Sequence, residues 1–277
     1  MEILNWQDAR SVLEERFSPG NRLEEGALHM LAGAVLARDV GEEKGPFLIK
    51  KGTRLGPGAI LLMARADLSG AWTYAKPLAQ VVGPKSGTPL VAACSSWLES
   101  MGFRLALPLE ASQEEGERLA SGEAEGDFDL LVLAGGERPE PPEGSRVFFQ
   151  GLEMEPGREG ACWSNPAGRP VLYLPPDPMA AFVVLHLVAL PGLLRLCGRE
   201  GPFRLGRSPL RFSKVWPRDE TRIYPGRLRV EGGDAVVEHL AEDRPDLAGV
   251  DCLFEVPAGE WIRDGDPVRW APVRDQA

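Results

Sequence analysis

The sequence predicts an α/β protein in three parts, because the spacing of its apolar residues changes twice along 277 residues. Over residues 77–200, short apolar strands alternate with helices, which is typical of a three-layer domain with a mostly parallel sheet. Residues 1–76 combine helical patterns with a strand–turn–helix pattern, which indicates an α+β segment. Residues 201–277 carry short strands between Gly, Pro and Asp turns, which favours a small β-barrel, with a sandwich as the alternative.

Composition and charge restrict the classes of function. With 43% hydrophobic and 26% charged residues, the chain can build substantial cores and does not have the composition of a disordered protein. A net charge of −10 and a pI of about 5.0 argue against a basic surface, so we expect no nucleic-acid partner. The first residues do not join a basic segment to an apolar one, so we predict no signal peptide.

The longest apolar run, Met179 to Leu196, does not predict a membrane span. It is interrupted by His186, Pro191 and Arg195, which is typical of a buried helix. We therefore expect a cytoplasmic protein with no membrane partner.

Periodicity predicts the elements of the N-terminal segment. Apolar residues at three- and four-residue spacing indicate helices over Trp6–Phe17 and Leu23–Ala37. A strand, a turn at Lys51 and Gly52, and a helix from about Ala59 to Ala66 follow.

The α/β domain and the barrel are predicted from short apolar segments. The α/β strands are LAQVV (78–82), FRLALPL (103–109), FDLLVLA (128–134), RVFFQGL (146–152) and PVLYLP (170–175). The helices between them span about Pro89–Met101, Ser112–Ala120 and Pro178–Leu196. The barrel strands are GRLRV (226–230), DAVVEHL (234–240), DCLFEVP (251–257) and DPVRWAP (266–272).

The turn between the strand at 170–175 and the long helix has the pattern of a ligand site. A helix that begins here directs its free N–H groups and its positive dipole end at the space above the strand, which suits a phosphate. Asp177 is the expected N-cap and Pro178 the first helical residue.

Cysteine and histidine spacing gives no sign of a metal or redox site. The four cysteines are far apart and form no C-x-x-C pair, so we expect reduced structural thiols and no metal. The three histidines are equally scattered and have no predicted catalytic role. These residues are Cys94, Cys162, Cys197, Cys252, His29, His186 and His239.

Five segments, taken in order, resemble the molybdopterin molybdenumtransferase family, the MoeA proteins and the homologous domain of gephyrin, which insert molybdenum into molybdopterin. They are AGAVLARDV (32–40), IKKGTRLGPGAILLMARADL (49–68), FDLLVLAGG (128–136), VFFQGLEMEPGRE (147–159) and VLYLPPDPMAAFVV (171–184). The resemblance covers nearly the whole chain. It implies a site for molybdopterin or adenylated molybdopterin, with magnesium only if the chain is active.

The resemblance also shows what the chain lacks. In the family, a whole lobe interrupts the first domain and completes the active site of the partner subunit. Here only five residues separate Val40 from Pro46, so that lobe is missing. The STGDEL segment that follows the family's first α/β strand has no counterpart either.

The resemblance assigns site residues to two further segments. Where the family reads GGVSVGDYD, this chain reads GGERPEPPE, so Gly135 and Gly136 remain and Glu137 is the first acidic residue of the loop. Gly151 and Glu155 stand where the family has two lysines, and only Arg158 keeps a positive charge. A carboxylate in place of an ammonium group repels a phosphate.

The family's PGNP turn is replaced by Pro175, Pro176, Asp177 and Pro178. Pro176 removes an N–H donor and fixes φ, and Asp177 places a negative charge at the start of the helix. These changes oppose anion binding, so a capped helix without a ligand is an equal interpretation of the turn.

Three hypotheses of function follow. The first is a shortened MoeA-like protein of molybdenum cofactor biosynthesis that binds molybdopterin or assists a full-length homologue or a molybdoenzyme. The second is a non-catalytic scaffold for protein interactions, and the third is an enzyme with a changed substrate. The family dimerises, and Leu61, Leu62 and Met63 give one helix more apolar surface than a small domain covers, so we expect a homodimer.

Overall fold

A computed structural model describes ten segments of the chain, and each element below lies within them. The segments are residues 3–19, 22–27, 30–41, 47–84, 88–106, 113–124, 126–199, 205–211, 218–240 and 247–273. The predictions for His29, for the junction at 42–46 and for part of the strand at 103–109 lie outside these residues.

The elements follow the predicted change from mixed structure to α/β to all-β. The helices are α1 (Trp6–Arg16), α2 (Pro57–Arg65), α3 (Thr88–Met101), α4 (Gln113–Ser121), α5 (Pro178–Val183) and α6 (Leu190–Leu196). The first ten strands are β1 (Leu23–Ala27), β2 (Val40–Gly41), β3 (Leu48–Ile49), β4 (Gly70–Tyr74), β5 (Leu78–Val82), β6 (Arg104–Leu105), β7 (Leu130–Ala134), β8 (Arg146–Gln150), β9 (Ala161–Ser164) and β10 (Pro170–Leu174). The last five are β11 (Gly206–Arg211), β12 (Arg222–Glu231), β13 (Asp234–His239), β14 (Cys252–Val256) and β15 (Pro267–Pro272).

A six-stranded sheet in the order β6-β5-β7-β10-β9-β8 forms the centre of the molecule. The pairs β5–β6, β5–β7 and β7–β10 are parallel, and β9 runs antiparallel to both of its neighbours. All five residues of β7 are buried, because helices cover both faces of the sheet. This arrangement confirms the predicted three-layer α/β architecture.

Residues on alternate positions of the strands face two separate cores. On one face, Val81, Val132 and Leu172 lie in the same cluster as residues of α3, α5 and α6. On the other face, Leu131 and Tyr173 lie in a cluster with residues of α4. The sheet is therefore the middle layer between α3, α5 and α6 on one side and α4 on the other.

Helix α1 packs against the α/β sheet although it lies within the predicted N-terminal segment 1–76. Its residues Trp6, Ala9 and Leu13 belong to the core cluster of the sheet and of the long helix. The approach is close because Gly192 has no side chain, and a Cβ there would lie 3.0 Å from the Leu13 carbonyl oxygen. The start of the chain thus contributes to the core of the α/β unit.

The prediction of a helix over Leu23–Ala37 is wrong. Leu23–Ala27 is strand β1 and pairs antiparallel with β4, so tertiary pairing overrides the local helical spacing. Gly33 has a φ of +78°, which lies outside the helical region, and the chain turns there. By contrast, the turn at Gly52 (φ +81°) and helix α2 confirm the predicted turn–helix pattern.

Across the predicted site of the missing lobe, strands β2 and β3 pair directly. Val40 lies opposite Ile49, and Gly41 lies opposite Leu48 in an antiparallel pair. Strands β2 and β3 are therefore direct neighbours at the position where the family's lobe would begin and end.

The long helix, Pro178–Leu196, consists of α5, a π-helical segment over Val184–Ala189, and α6. The π turns end just before Pro191, which has no N–H to donate to an α-helical ladder. By length and by a mean hydropathy of 2.0 this helix would suffice to cross a membrane, but 83% of its apolar window is buried inside the protein. It is therefore the predicted buried core helix, and a single helix of this kind is weak evidence for a membrane span.

The C-terminal strands close into a five-stranded barrel in the order β11-β13-β12-β14-β15. Leu210, Val237 and Phe254 lie in its core with no exposed surface. The predicted barrel is therefore confirmed, whereas the sequence analysis did not predict its strand β11 or, elsewhere in the chain, the strands β2, β4 and β9.

Candidate functional site

Two loops at the carboxyl edge of the central sheet lie side by side. The Gly135 N–H donates to the Leu174 carbonyl at 2.9 Å, which ties the end of β7 to the end of β10. A Cβ on Gly135 would lie 3.7 Å from Cα of Pro176. Gly135 and Gly136 have φ values of +80° and +76°, so both positions favour glycine. The structure thus brings the GG loop and the PPDP turn together.

The PPDP turn caps the long helix as predicted. The Ala180 N–H donates to Asp177 Oδ1 at 2.7 Å, and the Ala181 N–H donates to the Asp177 carbonyl at 2.9 Å. Pro178 has no N–H. Among the described residues, Met179 is therefore the one residue of the first helical turn whose N–H remains for a ligand.

Tyr173, on strand β10 just before the PPDP turn, connects that turn to the GG loop. Its hydroxyl donates to the Gly136 carbonyl at 3.0 Å. Burial and, to a smaller extent, the carboxylates of Glu159 and Glu137 raise the pKa of Tyr173 to about 12, while Arg138 opposes the shift. Arg138 and Glu159 therefore lie near the same phenol as Glu137.

Arg138 is the site residue that the sequence analysis missed. It is half-buried and follows Glu137 directly in the loop, whereas the analysis considered only the acidic residues of that loop. Its position next to two surviving glycines was the available signal. Arg138 gives this edge a positive charge in a loop where the family resemblance assigned none.

Arg158 lies at the same edge but apart from the two loops. It precedes β9, whose first residue, Ala161, pairs with Tyr173 at the end of β10. Its backbone carbonyl accepts from the Leu152 N–H at 2.9 Å, while its side chain is exposed and makes no ion pair with a described residue. Of the predicted site residues, the structure brings together 135–137 and 175–178, and leaves Arg158 unpaired.

The position of the family's second lysine is tied to the barrel. The Glu155 N–H donates to the Thr221 carbonyl at 2.9 Å, and the Ile223 N–H donates to the Glu155 carbonyl at 2.7 Å. This backbone pairing fixes the segment after β8 against the start of β12.

Acidic groups outnumber cations at this edge. Two cations, Arg138 and Arg158, accompany four carboxylates, Glu137, Glu140, Glu159 and Asp177. Glu140 accepts from Gln150 Nε2 at 2.6 Å. The described segments contain no group of three His, Cys, Asp or Glu side chains that could hold a metal ion.

The cysteines and the two histidines that the structure describes lie outside this site. All four cysteines are unpaired and buried, as predicted, and burial raises the thiol pKa of Cys94, Cys197 and Cys252 to about 12. His186 lies inside the long helix, and His239 packs edge-on against Tyr224 in the barrel.

Comparison with known proteins identifies the fold. No family model matches the sequence, and no curated protein matches it. Among solved structures, a molybdenum cofactor biosynthesis protein from Pyrococcus furiosus matches with a TM-score of 0.76 at 19% identity, over 98% of this chain and 100% of its own. Two molybdopterin biosynthesis MoeA proteins from Pyrococcus horikoshii match with TM-scores of 0.75 and 0.73, at 16% and 11% identity, over 99% and 98% of this chain and 100% of their own. This chain therefore has the MoeA fold along its whole length.

Proposed function

We propose that this protein works in molybdenum cofactor biosynthesis. The observation that carries the proposal is the likeness of nearly the whole chain to molybdopterin and molybdenum cofactor biosynthesis proteins. The five sequence segments in the order of that family support it independently, since they come from all parts of the fold except the barrel.

Within that pathway, we propose that the carboxyl edge binds molybdopterin or its adenylated form. The two glycines at 135 and 136 allow a ligand to approach the backbone closely, and the Met179 N–H and Arg138 are the groups that would bind its phosphate. Because Asp177 already occupies two N–H groups and adds a negative charge, binding should be weak.

We also propose that the chain does not insert molybdenum by itself. The paired strands β2 and β3 take the place of the lobe that completes the family's site, and Gly151 and Glu155 replace two lysines. The protein would then assist a full-length molybdenumtransferase or a molybdoenzyme in the cytoplasm, as a homodimer.

Thermal unfolding in the presence of molybdopterin, and separately of AMP, tests the binding proposal. A ligand that binds only the native state stabilises it, by about 2.7 kcal/mol at a ligand concentration of a hundred times Kd. The unfolding temperature rises as a result. Arg138→Gln removes one of the proposed phosphate-binding groups, so it should reduce the rise of the unfolding temperature that the ligand causes. An unchanged unfolding temperature up to millimolar molybdopterin would contradict binding at this edge.

Activity is tested in a strain that lacks its own molybdenumtransferase. We expect no restoration of molybdoenzyme activity by this chain alone, and improved activity when it is added to a weakly active full-length enzyme. Restoration by the chain alone would overturn the proposal that insertion is lost.

The second candidate is a non-catalytic scaffold for protein interactions. It is favoured by the Asp177 cap, which fully serves the helix without any ligand. It predicts direct binding of a full-length molybdenumtransferase, which analytical ultracentrifugation of the mixture measures. It differs from the first candidate in predicting no change of the unfolding temperature with molybdopterin.

A further inference from the structure

The amino edge of the central sheet contains a cavity of about 460 Å³. Its walls are the segments that enter β5, β7 and β10, together with the ends of α1 and of the long helix. It therefore lies at the opposite end of the strands from the GG loop and the PPDP turn. A volume of this size is within the usual range for small-molecule sites.

The charge of this cavity differs from that of the whole protein. In a chain of net charge −10, five cationic side chains and two carboxylates line it. The cations are Arg16, Arg22, Lys76, Arg146 and Arg169.

Both carboxylates of the cavity already have partners. Asp129 Oδ2 accepts from the Leu78 N–H at 2.8 Å, which joins the starts of two neighbouring strands. Asp127 lies 3.7 Å from Arg22 in an exposed ion pair, which contributes little. Arg16 and Arg146 are exposed and make no ion pair with a described residue. Their charges are therefore available to a ligand.

Arg169 has a defined position in the cavity wall. Its Nη1 donates to the Gly126 carbonyl, and its guanidinium carbon lies 4.9 Å from the centre of the Phe128 ring. A guanidinium held in this way keeps other N–H groups in a fixed fork, the geometry that suits phosphate oxygens.

A second cavity of about 300 Å³ continues the basic surface. It shares Lys76 and Pro77 with the first cavity, and it adds three arginines and two carboxylates to the lining: Arg54, Arg104, Arg199, Glu24 and Glu25. Lys76 therefore stands between two groups of arginines. The extended positive surface favours a ligand with more than one negative group.

The helix dipoles explain only part of this charge. Arg16 lies in the last turn of α1, where a cation is favoured by the negative end of the helix. Lys76, Arg146 and Arg169 lie on strand starts and connecting segments, where no helix end requires them. Helix capping alone does not account for the cluster.

We propose that the cavity at the amino edge binds a small molecule that carries a diphosphate group. Two linked phosphates match the fixed fork of Arg169 and the free charges of Arg16 and Arg146. Nucleic acid fits less well, because the positive charge is confined to these cavities and the rest of the chain is acidic. This site is separate from the carboxyl edge, so it does not depend on the function proposed above.

Calorimetric titration with inorganic pyrophosphate at low salt tests the proposal. We expect the double variant Arg16→Gln, Arg146→Gln to bind at least about tenfold more weakly than wild type, because two charge-assisted contacts are lost. The control Arg207→Gln removes one positive charge from an exposed position on β11 and should leave the affinity unchanged. Arg169→Lys keeps the charge but loses the fork, so it should weaken binding by an intermediate factor.

Three further measurements complete the test. Thermal unfolding without ligand should be equal for wild type and the double variant, which excludes misfolding as the cause. Titration with ADP separates sources of the diphosphate: tighter binding than pyrophosphate indicates a nucleotide, and equal binding indicates the diphosphate alone. The proposal is overturned if wild type shows no binding at millimolar pyrophosphate, if the double variant binds equally well, or if a DNA duplex binds and pyrophosphate does not displace it.

Discussion

The indole N–H of Trp6 donates to Glu255 Oε1 at 3.1 Å and so joins the first helix to a barrel strand 249 residues later. Gln7 Nε2 donates to the other carboxylate oxygen at 3.4 Å, and Arg269 Nη1 lies 3.6 Å from it. The Glu255 side chain is only 14% exposed. One shielded carboxylate therefore holds the barrel against the α/β unit.

Glu255→Ala should destabilise the protein by about 1–3 kcal/mol, because the Trp6 N–H loses its acceptor in a mostly buried place. Urea unfolding measures this difference. The control Glu231→Ala removes a carboxylate that pairs with Arg211 at 3.2 Å in an exposed position, and it should cost less than about 1 kcal/mol. Equal effects of the two substitutions would mean that Glu255 does not link the two units.

His186 should make stability depend on pH. Its ring packs between Trp97 and Phe182 beside an apolar cavity, and neither ring nitrogen has a hydrogen-bond partner within the described residues. Burial lowers the pKa of His186 from 6.5 to about 4, because the charged imidazolium would lose its hydration.

The sign follows from proton binding. Between pH 6.5 and 4 the unfolded state binds a proton at His186 and the folded state does not, so stability falls as the pH falls through this window. We expect wild type to lose about 2 kcal/mol more than His186→Phe between about pH 8 and about pH 5. Urea unfolding of both proteins at both pH values measures it, and parallel pH profiles would show that His186 is not buried as described.

The parts of the fold that the sequence predicted are those with a strong local signal. β7 is a continuous apolar run, and Asp177 with Pro178 marks a helix start by short-range chemistry. The parts that it did not predict depend on distant partners. β1 forms through pairing with β4, and the start of the chain folds onto the long helix at Gly192.

Two of the strands that the sequence did not predict, β9 and β11, were missed for identifiable reasons. β9 has only four residues, and β11 contains Pro209, which argues against a strand in sequence but is accepted here opposite Pro267. In the candidate site, the resemblance assigned residues of both the GG loop and the PPDP turn, and the structure places the two loops side by side. The cation at Arg138 and the basic cavity were not predicted, because segments that are distant in sequence bring those charges together.

Helix α2 should form part of a dimer contact. Leu61 and Leu62 are 60% and 45% exposed, whereas Met63 is fully buried, which corrects the expectation that all three contribute to the free surface. Light scattering should give twice the chain mass of 30.1 kDa at micromolar concentration. Leu61→Glu with Leu62→Glu should shift the mass to that of one chain. A single-chain mass for wild type would refute the homodimer.

The PPDP turn provides the sharpest test of the carboxyl edge. Pro176→Gly with Asp177→Asn restores one N–H donor and removes one charge, while Asn still accepts from the Ala180 N–H. The gain should be about 1–3 kcal/mol, or about five- to hundred-fold in affinity for AMP. The unfolding temperature should change little, since glycine adds only some loop entropy.

Calorimetry with AMP should be done in the Arg16→Gln, Arg146→Gln background, so that binding at the basic cavity of the opposite edge is weakened. Asp177→Asn alone separates the charge from the restored donor, because it keeps Pro176 in place and leaves the cap intact. In this background, the turn with both Pro176→Gly and Asp177→Asn should bind AMP more tightly than the turn with Asp177→Asn alone. The turn with Asp177→Asn alone should in turn bind AMP more tightly than the unaltered turn. The reverse order would mean that the PPDP turn, with its carboxylate, is itself adapted to a cationic or neutral ligand, and the proposed phosphate site at the start of the long helix would have to be abandoned.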